Sequence, residues 1–287
     1  MSEQLNYIAT SAVDTTPFVW PSFVYPKVSV VIPALNEEKN LLHVLPRIPL
    51  WVNEVLLVDG YSTDNTIQVA KRLRPDICIV YQKRRGKGAA LRSGFEAATG
   101  DIIIMLDADG SMDPAEIPLF VGALLGGADF AKGSRFLQGG GTSDMEWFRR
   151  LGNWGLTMLV RLVFGGHYSD LCYGYNAFWK RVLPSLNLDA DGFEIETLMN
   201  VRALLVGLKI AELPSFEAER IHGTSNLRTI PDGWRVLKTI VKERFTSYSP
   251  AVEESLPERK TPLELLEFEI CTECGGPVTP AIHKQVA

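Results

Sequence analysis

Residues 100–114, GDIIIMLDADGSMDP, place two carboxylates directly after a run of five apolar residues. A continuous apolar run is typical of a strand covered on both faces, as parallel strands are in α/β proteins. Asp107 and Asp109 lie one residue apart, so in an extended chain their side chains point to the same side. Carboxylates placed in this way repel each other unless a cation lies between them. The stretch therefore predicts a buried parallel strand that ends in a cation site.

The first half of the chain alternates between strand and helix patterns around this stretch. Strands are predicted over 28–35, 54–60, 77–82 and 101–109, and helices over 36–48, 66–73, 86–98 and 113–125. Asp113, Pro114 and Glu116 form a capping box with Asp in the Ser/Thr position at the start of the last helix. This spacing predicts an α/β fold with a mostly parallel, doubly wound sheet.

The second half has longer helices and isolated strands. Strands are predicted over 130–136 and 209–220, and helices over 147–165, 193–207 and 233–245. Residues 1–26 have the composition of a flexible leader, and residues 247–287 form a Pro- and Glu-rich tail that contains Cys271 and Cys274 in a C-x-x-C. That pair supplies half of a zinc site, because zinc needs about four ligands.

Composition excludes several classes of protein. The chain has 287 residues, a net charge of −5 and a pI of about 5.5, which gives no support for nucleic-acid binding. Four cysteines are too few for a disulfide framework and favour a reducing, cytoplasmic setting. We find neither a signal-peptide pattern nor an apolar run of the roughly 18 residues that a membrane span needs.

Polar residues follow the predicted strands, where ligands collect in open α/β sheets. Asp59 ends the second strand and could meet the base or ribose of a nucleotide. Pro33 turns the chain after the first strand, and Asn36 or Glu37 could cap the next helix or contact the nucleotide. For Asn36 alone, capping is the simpler interpretation.

Two further features predict a diphosphate site. Asp107 and Asp109 could hold Mg²⁺ or Mn²⁺, which takes one or two carboxylates together with substrate phosphates; the alternative is helix capping or a solvated turn. Lys87 stands between two glycines at a predicted helix start, where phosphate is attracted. The pattern is not a P-loop, and a solvated basic turn is the alternative.

Several motifs occur together in a fixed order: VSVVIPALNEEKNL, VLLVDGYSTDNT, GKGAALRSGFEAATGDIIIMLDADGSMDP, KGSRF, LGNWGLTMLVRLVFG, SDLCYGYNAFWK and GLKIAELPSFEAERIHGTSNL. From residue 28 to about 230 the chain resembles family 2 glycosyltransferases, most closely the dolichyl-phosphate or polyprenyl-phosphate hexose synthases. The resemblance implies a nucleotide-diphospho-sugar transferase fold over 27–246, with a donor half (27–136) and an acceptor half (137–246). It also implies metal-dependent, inverting hexose transfer from GDP-mannose or UDP-glucose to a polyprenyl or dolichyl phosphate.

The resemblance assigns roles by position. It implies contacts with the base and ribose of the donor for Pro33, Asn36, Glu37 and Asp59, and a position facing the diphosphate and acceptor for His222. Lys87 and Ala108 complete the expected donor site. It implies metal binding by Asp107 and Asp109, and catalytic roles near the transferred phosphate, the diphosphate and the acceptor for Arg135, Arg220 and Asp170. Gly60 replaces a second acid that the family often has, and Ser111 replaces a Gln frequent in mannose synthases. The donor therefore stays open between mannose and glucose.

The acceptor decides whether a general base is needed. A lipid phosphate needs positive charge, which Arg135, Arg149, Arg150, Arg220 and His222 could supply. A sugar or small-molecule hydroxyl would instead need a carboxylate base, for which Glu194, Glu196 or Asp170 are candidates. A nucleotide-sugar-binding regulator is a non-enzymatic alternative. A nucleotidyltransferase would need a Gly-rich signature that PALNEEKNL lacks.

Two segments indicate contact with a membrane surface. The helix over 147–165 is apolar and carries Arg149, Arg150 and Arg161, as an interfacial helix does, although a core helix is the alternative. The segment 220–245 has six basic and two acidic residues. The expected location is the cytoplasmic face of a membrane, with a membrane subunit left open as a partner.

Overall fold

The computed structural model describes residues 25–224 and 228–246. It contains nine strands: β1 (Val28–Ala34), β2 (Glu54–Asp59), β3 (Cys78–Tyr81), β4 (Ile102–Met105), β5 (Phe130–Ser134), β6 (Gly141–Thr142), β7 (Asn176–Trp179), β8 (Ile210–Pro214) and β9 (Phe216–Glu217). Seven of them form one mixed sheet in the order β3-β2-β1-β4-β7-β5-β8, and β6 and β9 form a small second sheet. The expected leader and the C-x-x-C tail lie outside the described residues.

The described residues also form eight α-helices: α1 (Leu41–Val44), α2 (Thr66–Leu73), α3 (Lys87–Ala97), α4 (Ile117–Leu125), α5 (Trp147–Phe164), α6 (Leu183–Leu186), α7 (Ile195–Leu205) and α8 (Thr229–Phe245). Short 3-10 turns follow α1 and precede α4 and α6. Within the described ranges, none of these helices has both the length and the apolar character needed to cross a membrane.

The parallel half of the sheet confirms the predicted fold class. Strands β3, β2, β1 and β4 run parallel to one another, and each expected crossover helix connects them. Adjacent residues of β1 belong to different cores: Val30 packs with α1 and α4, whereas Val31 packs with α3 and α7. The central strands are therefore covered on both faces, as their continuous apolar sequences require.

Several predicted boundaries are wrong. The helix expected over 36–48 is reduced to α1 and a 3-10 turn that contains Pro46, which has no N–H to continue the helix ladder. The strand expected over 101–109 ends at Met105, so Asp107 and Asp109 lie in the turn after it. Asp113 caps the following 3-10 turn through the amide of Ala115.

The antiparallel element of the sheet was not predicted. Strand β7 inserts between β4 and β5 and runs antiparallel to both. The strand expected over 209–220 divides into β8 and β9, which belong to different sheets. Glu116 does not complete a capping box, because its carboxylate accepts hydrogen bonds from Ser215 and Phe216 between these two strands.

Candidate functional site

A cavity of about 590 Å³ opens at the carboxyl ends of the parallel strands. Ligands collect at this edge in open α/β sheets. The loops after β1, β2, β3 and β4 supply most of its wall, and Phe193 and Arg220 from the second half of the sequence complete it. Expected residues that line the cavity are Pro33, Asn36, Glu37, Lys87, Asp107, Ala108, Asp109 and Arg220.

The carboxylates after β4 each contact a cation. The ammonium of Lys87 lies 2.8 Å from Oδ1 and 2.9 Å from Oδ2 of Asp107, and 2.7 Å from Oε1 of Glu196. The guanidinium of Arg220 donates to Oδ2 of Asp109 at 2.7 Å and to Oε1 of Glu37 at 3.1 Å. Four carboxylates thus share two cations, so two negative charges remain uncompensated when all six groups are ionised.

Burial shifts the protonation of this cluster. Burial raises the pKa of Asp107, the ammonium of Lys87 opposes this, and the carboxylates of Asp109 and Glu196 add to it; together they bring the pKa to about 6. Burial likewise raises the pKa of Glu37. Burial alone would lower the pKa of Lys87, but Asp107 and Glu196 hold it above its usual value. The cluster therefore favours an additional cation, which would lower the pKa of Asp107.

The donor set fits Mg²⁺ or Mn²⁺. Such an ion is typically held by one or two protein carboxylates, with substrate phosphates and water as the other ligands. In the described part of the chain no group of three or more His, Cys, Asp or Glu side chains could hold a metal by itself. Asp107 and Asp109 on the cavity wall would therefore leave coordination positions for a substrate.

Ser111 contacts Asp109 directly. Its amide and hydroxyl both donate to Oδ1 of Asp109, at 3.0 Å and 2.7 Å. Gly110 has a φ of +82°, and a Cβ at this position would lie 2.6 Å from the side chain of Ile221. The turn thus requires glycine, and Ser111 orients the carboxylate of Asp109.

The expected nucleoside residues differ in accessibility. Asn36 adopts a φ of +58° and bonds Ser62 and Thr63, so it joins the loops after β1 and β2 while it faces the cavity. Asp59 is buried and does not line the cavity; its carboxylate accepts from the amide of Ser62. Asp59 therefore stabilises the turn after β2, and its contact with the nucleotide stays a prediction.

Arg135 and Asp170 form a sealed ion pair away from the cavity lining. The guanidinium donates to Asp170 at 2.6 Å and 2.9 Å and to Glu217 at 3.0 Å, and the Arg135 and Asp170 side chains are only 3% and 0% exposed. Asn153 adds a hydrogen bond to Asp170. These protein partners satisfy both charges in this structure. The contacts of Arg135 with the phosphate and of Asp170 with the acceptor stay predictions.

Other expected residues are also displaced from the cavity. His222 is exposed, does not line the cavity, and its ring lies 5.7 Å from that of His43. Glu194 accepts a hydrogen bond from the amide of Gly192 in its own turn. Of the two candidate bases on α7, only Glu196 reaches the charged cluster.

The glycines beside Lys87 serve a packing role. Gly86 has a φ of +120°, and a Cβ there would lie 2.1 Å from the carbonyl oxygen of Asp191. A Cβ at Gly88 would lie 2.5 Å from the carbonyl oxygen of Ala190. The amide of Ala89 already donates to Asp191, so the start of α3 is held by protein backbone. Lys87 reaches the cavity through its side chain.

Tyr61, Gln82 and Phe193 are among the cavity residues that sequence reasoning missed. Tyr61 has a φ of +64°, and its ring stacks on that of Tyr81 with the centroids 5.9 Å apart. Gln82 follows β3 and is buried at the cavity wall. The centroid of the Phe193 ring lies 5.9 Å from the Lys87 ammonium. The position of Gln82 directly after a strand was the one available signal, since strand ends supply the other residues of this edge.

The chain is similar to several known proteins. It matches the model of glycosyl transferase family 2 over residues 29–186. It is 32% identical over 211 residues to dolichol-phosphate mannosyltransferase of Pyrococcus furiosus, a match that covers 70% of this chain and 59% of that protein. It is 31% identical over 211 residues to polyprenol monophosphomannose synthase of Mycolicibacterium smegmatis, with 69% and 80% covered.

Solved structures also resemble the fold. Glucosyl-3-phosphoglycerate synthase from Mycobacterium tuberculosis, in complex with Mn²⁺, uridine diphosphate and glucosyl-3-phosphoglycerate, superimposes with a TM-score of 0.61 at 26% identity, covering 78% of this chain and 82% of that one. The same synthase is known with Mg²⁺ and uridine diphosphate. Fold, family model and relatives agree: the chain belongs to glycosyl transferase family 2 and is a glycosyltransferase.

Proposed function

We propose that the protein transfers a hexose from GDP-mannose or UDP-glucose to a polyprenyl or dolichyl phosphate, with inversion at the sugar. The observation that carries the proposal is the position of Asp107 and Asp109 beside Lys87 and Arg220 in one cavity. A departing nucleoside diphosphate gains negative charge as the sugar bond breaks, and a site of this kind can neutralise that charge. The two relatives named for dolichol or polyprenol phosphate support the choice of acceptor.

The charged residues of the cavity have different roles in binding the donor diphosphate. Asp107 and Asp109 would hold Mg²⁺ or Mn²⁺, which supplies Lewis-acid stabilisation of the diphosphate. Arg220 can exchange its carboxylate partners for phosphate oxygens, to which a guanidinium donates two parallel hydrogen bonds. Lys87 adds a compact positive charge beside Asp107.

The nucleoside lies toward the loops after β1 and β2 in this proposal. Pro33, Asn36 and Glu37 line that part of the cavity, and Ala108 separates the two metal-binding carboxylates. Neighbouring strands of a sheet are about 4.8 Å apart, so β2 and β4 are about 10 Å apart across β1. That distance accommodates a ribose and its diphosphate between the two strand ends.

A phosphate acceptor suits the charge of the cavity. A phosphate monoester has a second pKa near 6 and is largely dianionic at pH 7, so it needs no general base. Glu196, the base candidate nearest the cavity, has its Oε1 bonded to the ammonium of Lys87. That oxygen is already engaged in an ion pair, which favours a nucleophile that needs no general base.

Two neighbouring helices present apolar side chains to the surface. Helices α5 and α8 pack together through Val160, Val236 and Ile240. Their exposed large apolar side chains are Trp147, Phe148, Leu151, Trp154 and Leu162 on α5, and Ile230, Trp234, Val241 and Phe245 on α8. Exposed aromatic and apolar residues beside basic ones are typical of a helix that lies in a membrane interface.

Basic residues accompany this apolar surface. Arg150 and Arg161 are exposed on α5, and Arg235, Lys238, Lys242 and Arg244 are exposed on α8. Such residues attract anionic lipid head groups. We therefore propose peripheral binding at the cytoplasmic face of a membrane, where a lipid phosphate would meet the enzyme, with or without a membrane subunit.

Transfer to a hydroxyl is the second candidate. The structural similarity to glucosyl-3-phosphoglycerate synthase favours it, because that protein was crystallised with a small-molecule product. On this chain the reaction would need Glu196 as a base, and the ion pair with Lys87 opposes that role.

A transfer assay distinguishes the two acceptors. Purified protein with Mn²⁺, polyprenyl phosphate and radiolabelled GDP-mannose or UDP-glucose is extracted into organic solvent. We expect label in the lipid phase, lost with EDTA or Asp109→Ala. Label that stays in water as free sugar in the presence of lipid phosphate would contradict the acceptor and favour the hydroxyl alternative.

A further inference from the structure

Glu196 has no role in the transfer as proposed above, yet it is one of the most constrained charges near the cavity. It lies in the first turn of α7, is buried, and belongs to the acceptor half, whereas its partner Lys87 starts α3 in the donor half. The two side chains meet at 2.7 Å with exposures of 9% and 14%. This ion pair joins the two halves of the enzyme at the cavity.

The surrounding backbone leaves room for this contact. Gly174 precedes β7, and a Cβ at that position would lie 2.6 Å from Oε1 of Glu196 and 3.1 Å from the ammonium of Lys87. The ring of Phe193 lies over the ammonium on another side, at 5.9 Å. The Lys87 ammonium is therefore placed between the Glu196 carboxylate and the Phe193 ring. Gly174 leaves the space in which the ammonium and the carboxylate meet.

Lys87 has two carboxylate partners, and they differ in one respect. Asp107 lines the cavity and faces the expected metal position, whereas Glu196 does not line the cavity. A cation that binds Asp107 competes with Lys87 for its oxygens, because both are positively charged. Once Asp107 is engaged, Glu196 is the partner that still holds the ammonium at the cavity wall.

We propose that Glu196 is a positioning residue that holds Lys87 against the donor diphosphate, and that it is not a general base. The inference rests on the proposed donor site and adds a specific role for α7 in it. When the metal engages Asp107, loss of the Glu196 charge leaves the Lys87 ammonium without a carboxylate that holds it at the cavity wall. Donor binding then weakens although a negative charge has been removed from an anion-binding site.

The sign of that effect makes the proposal testable. Neutralising a carboxylate near a bound diphosphate tightens anion binding when the carboxylate acts only through its charge. We expect the opposite for Glu196→Gln, namely roughly tenfold weaker binding of GDP or UDP, which corresponds to one charge-assisted hydrogen bond. Isothermal titration calorimetry with each nucleotide and Mn²⁺ measures it without any acceptor.

A double-mutant cycle tests whether Glu196 acts through Lys87. Lys87→Met should weaken nucleotide binding, and Glu196→Gln in that background should cause no further loss, because the residue it positions is gone. Glu194→Gln makes the same chemical change two residues away, where the carboxylate accepts from the amide of Gly192, and this variant should bind nucleotide as the wild type does. Glu196→Asp keeps the charge on a shorter side chain and should recover part of the affinity.

Each possible result bears on a different part of the proposal: the positioning role, the donor site or the acceptor. Unchanged or tighter binding by Glu196→Gln, or equal losses in the presence and absence of Lys87, would overturn the positioning role. Failure of the wild type to bind either nucleotide would overturn it together with the proposed donor site. Nucleotide binding with the expected cycle, but without transfer to polyprenyl phosphate, would support the positioning role and contradict only the proposed acceptor.

Discussion

Two Asp–Arg pairs of this enzyme have nearly the same geometry and different surroundings. Asp109 and Arg220 meet at 2.7 Å with side chains 14% and 19% exposed, whereas Asp170 and Arg135 meet at 2.6 Å with side chains 0% and 3% exposed. The first pair lines the cavity and the second does not. A pair beside a cavity can exchange its partners for a ligand, whereas a sealed pair contributes mainly to the stability of the fold. Exposure to the cavity, more than residue type, therefore distinguishes the pair that can bind a ligand from the pair that stabilises the fold.

The sealed pair should dominate stability. Asp170→Asn leaves the buried guanidinium of Arg135 with Glu217 as its remaining carboxylate, and removal of one member of a buried pair typically costs about 3–5 kcal/mol. We expect a comparable fall in the free energy of unfolding, measured by urea denaturation at pH 7. Asp109→Asn serves as the control and should change stability far less, and equal losses for the two variants would remove the distinction between the pairs.

The pH dependence of that stability follows from Asp170. Burial would raise its pKa, but Arg135 holds it below the ordinary value of 3.8. The folded state therefore binds the proton less tightly than the unfolded chain does. The contribution of Asp170 is complete above pH 3.8 and is lost as the pH falls through the lower pKa of the folded state.

The cavity pair should dominate catalysis. Asp109→Asn removes a proposed metal ligand and should lower the rate of sugar transfer by about 10²–10³-fold, the usual cost of losing one stabilising group at a developing charge. Transfer assays with Mn²⁺ measure the loss, and circular dichroism should show an unchanged fold. Near-normal transfer by this variant would mean that the carboxylate serves only to hold Arg220.

Arg220 should affect donor affinity more than folding. Arg220→Met removes a guanidinium that can bind the diphosphate, so we expect the KM for the nucleotide sugar to rise about tenfold, equivalent to one charge-assisted hydrogen bond. Steady-state kinetics with varied donor measure this change. An unchanged KM together with a large loss of stability would make Arg220 the counterpart of Arg135, contrary to the comparison.

Metal addition should give the smallest effect. Mn²⁺ at ten times its dissociation constant stabilises the folded state by about 1.4 kcal/mol, which raises the Tm by about 4 °C in a domain of this size. The shift should shrink below pH 6, because Asp107 has a pKa of about 6 and its protonated form is a poor ligand. Differential scanning fluorimetry at pH 5 and pH 7.5 tests this, with Asp109→Asn as the variant in which the shift should disappear.

The parallel half of the fold could be predicted from the sequence because its strands are continuous apolar runs. Ile102, Ile103 and Ile104 are apolar on both faces, and β4 is buried on both faces. Strand β7 has only four residues, with Asn176 at its start, and carries no alternation that distinguishes it from a loop. Its position between β4 and β5 depends on pairing with residues more than 40 positions away, which local patterns do not encode.

Local sequence patterns likewise predicted only part of the candidate site. Strand ends predicted that Pro33, Asn36, Glu37, Asp107 and Asp109 would meet, because parallel strands bring their carboxyl ends to one edge. The pairing of Arg135 with Asp170 depends on the fold around β7, and the contact between Lys87 and Glu196 joins residues 109 positions apart. The inward orientation of Asp59 is set by the turn that Ser62 completes, and strand periodicity does not report it.

The most direct test of the metal–diphosphate site is anomalous diffraction from a crystal of the enzyme with Mn²⁺ and GDP or UDP. We expect one strong manganese peak about 2.1 Å from a carboxylate oxygen of Asp107 or Asp109, with both residues facing the ion, and the nucleotide phosphates completing its coordination beside Arg220. A nucleotide bound elsewhere, or a manganese ion away from both carboxylates, would contradict the account.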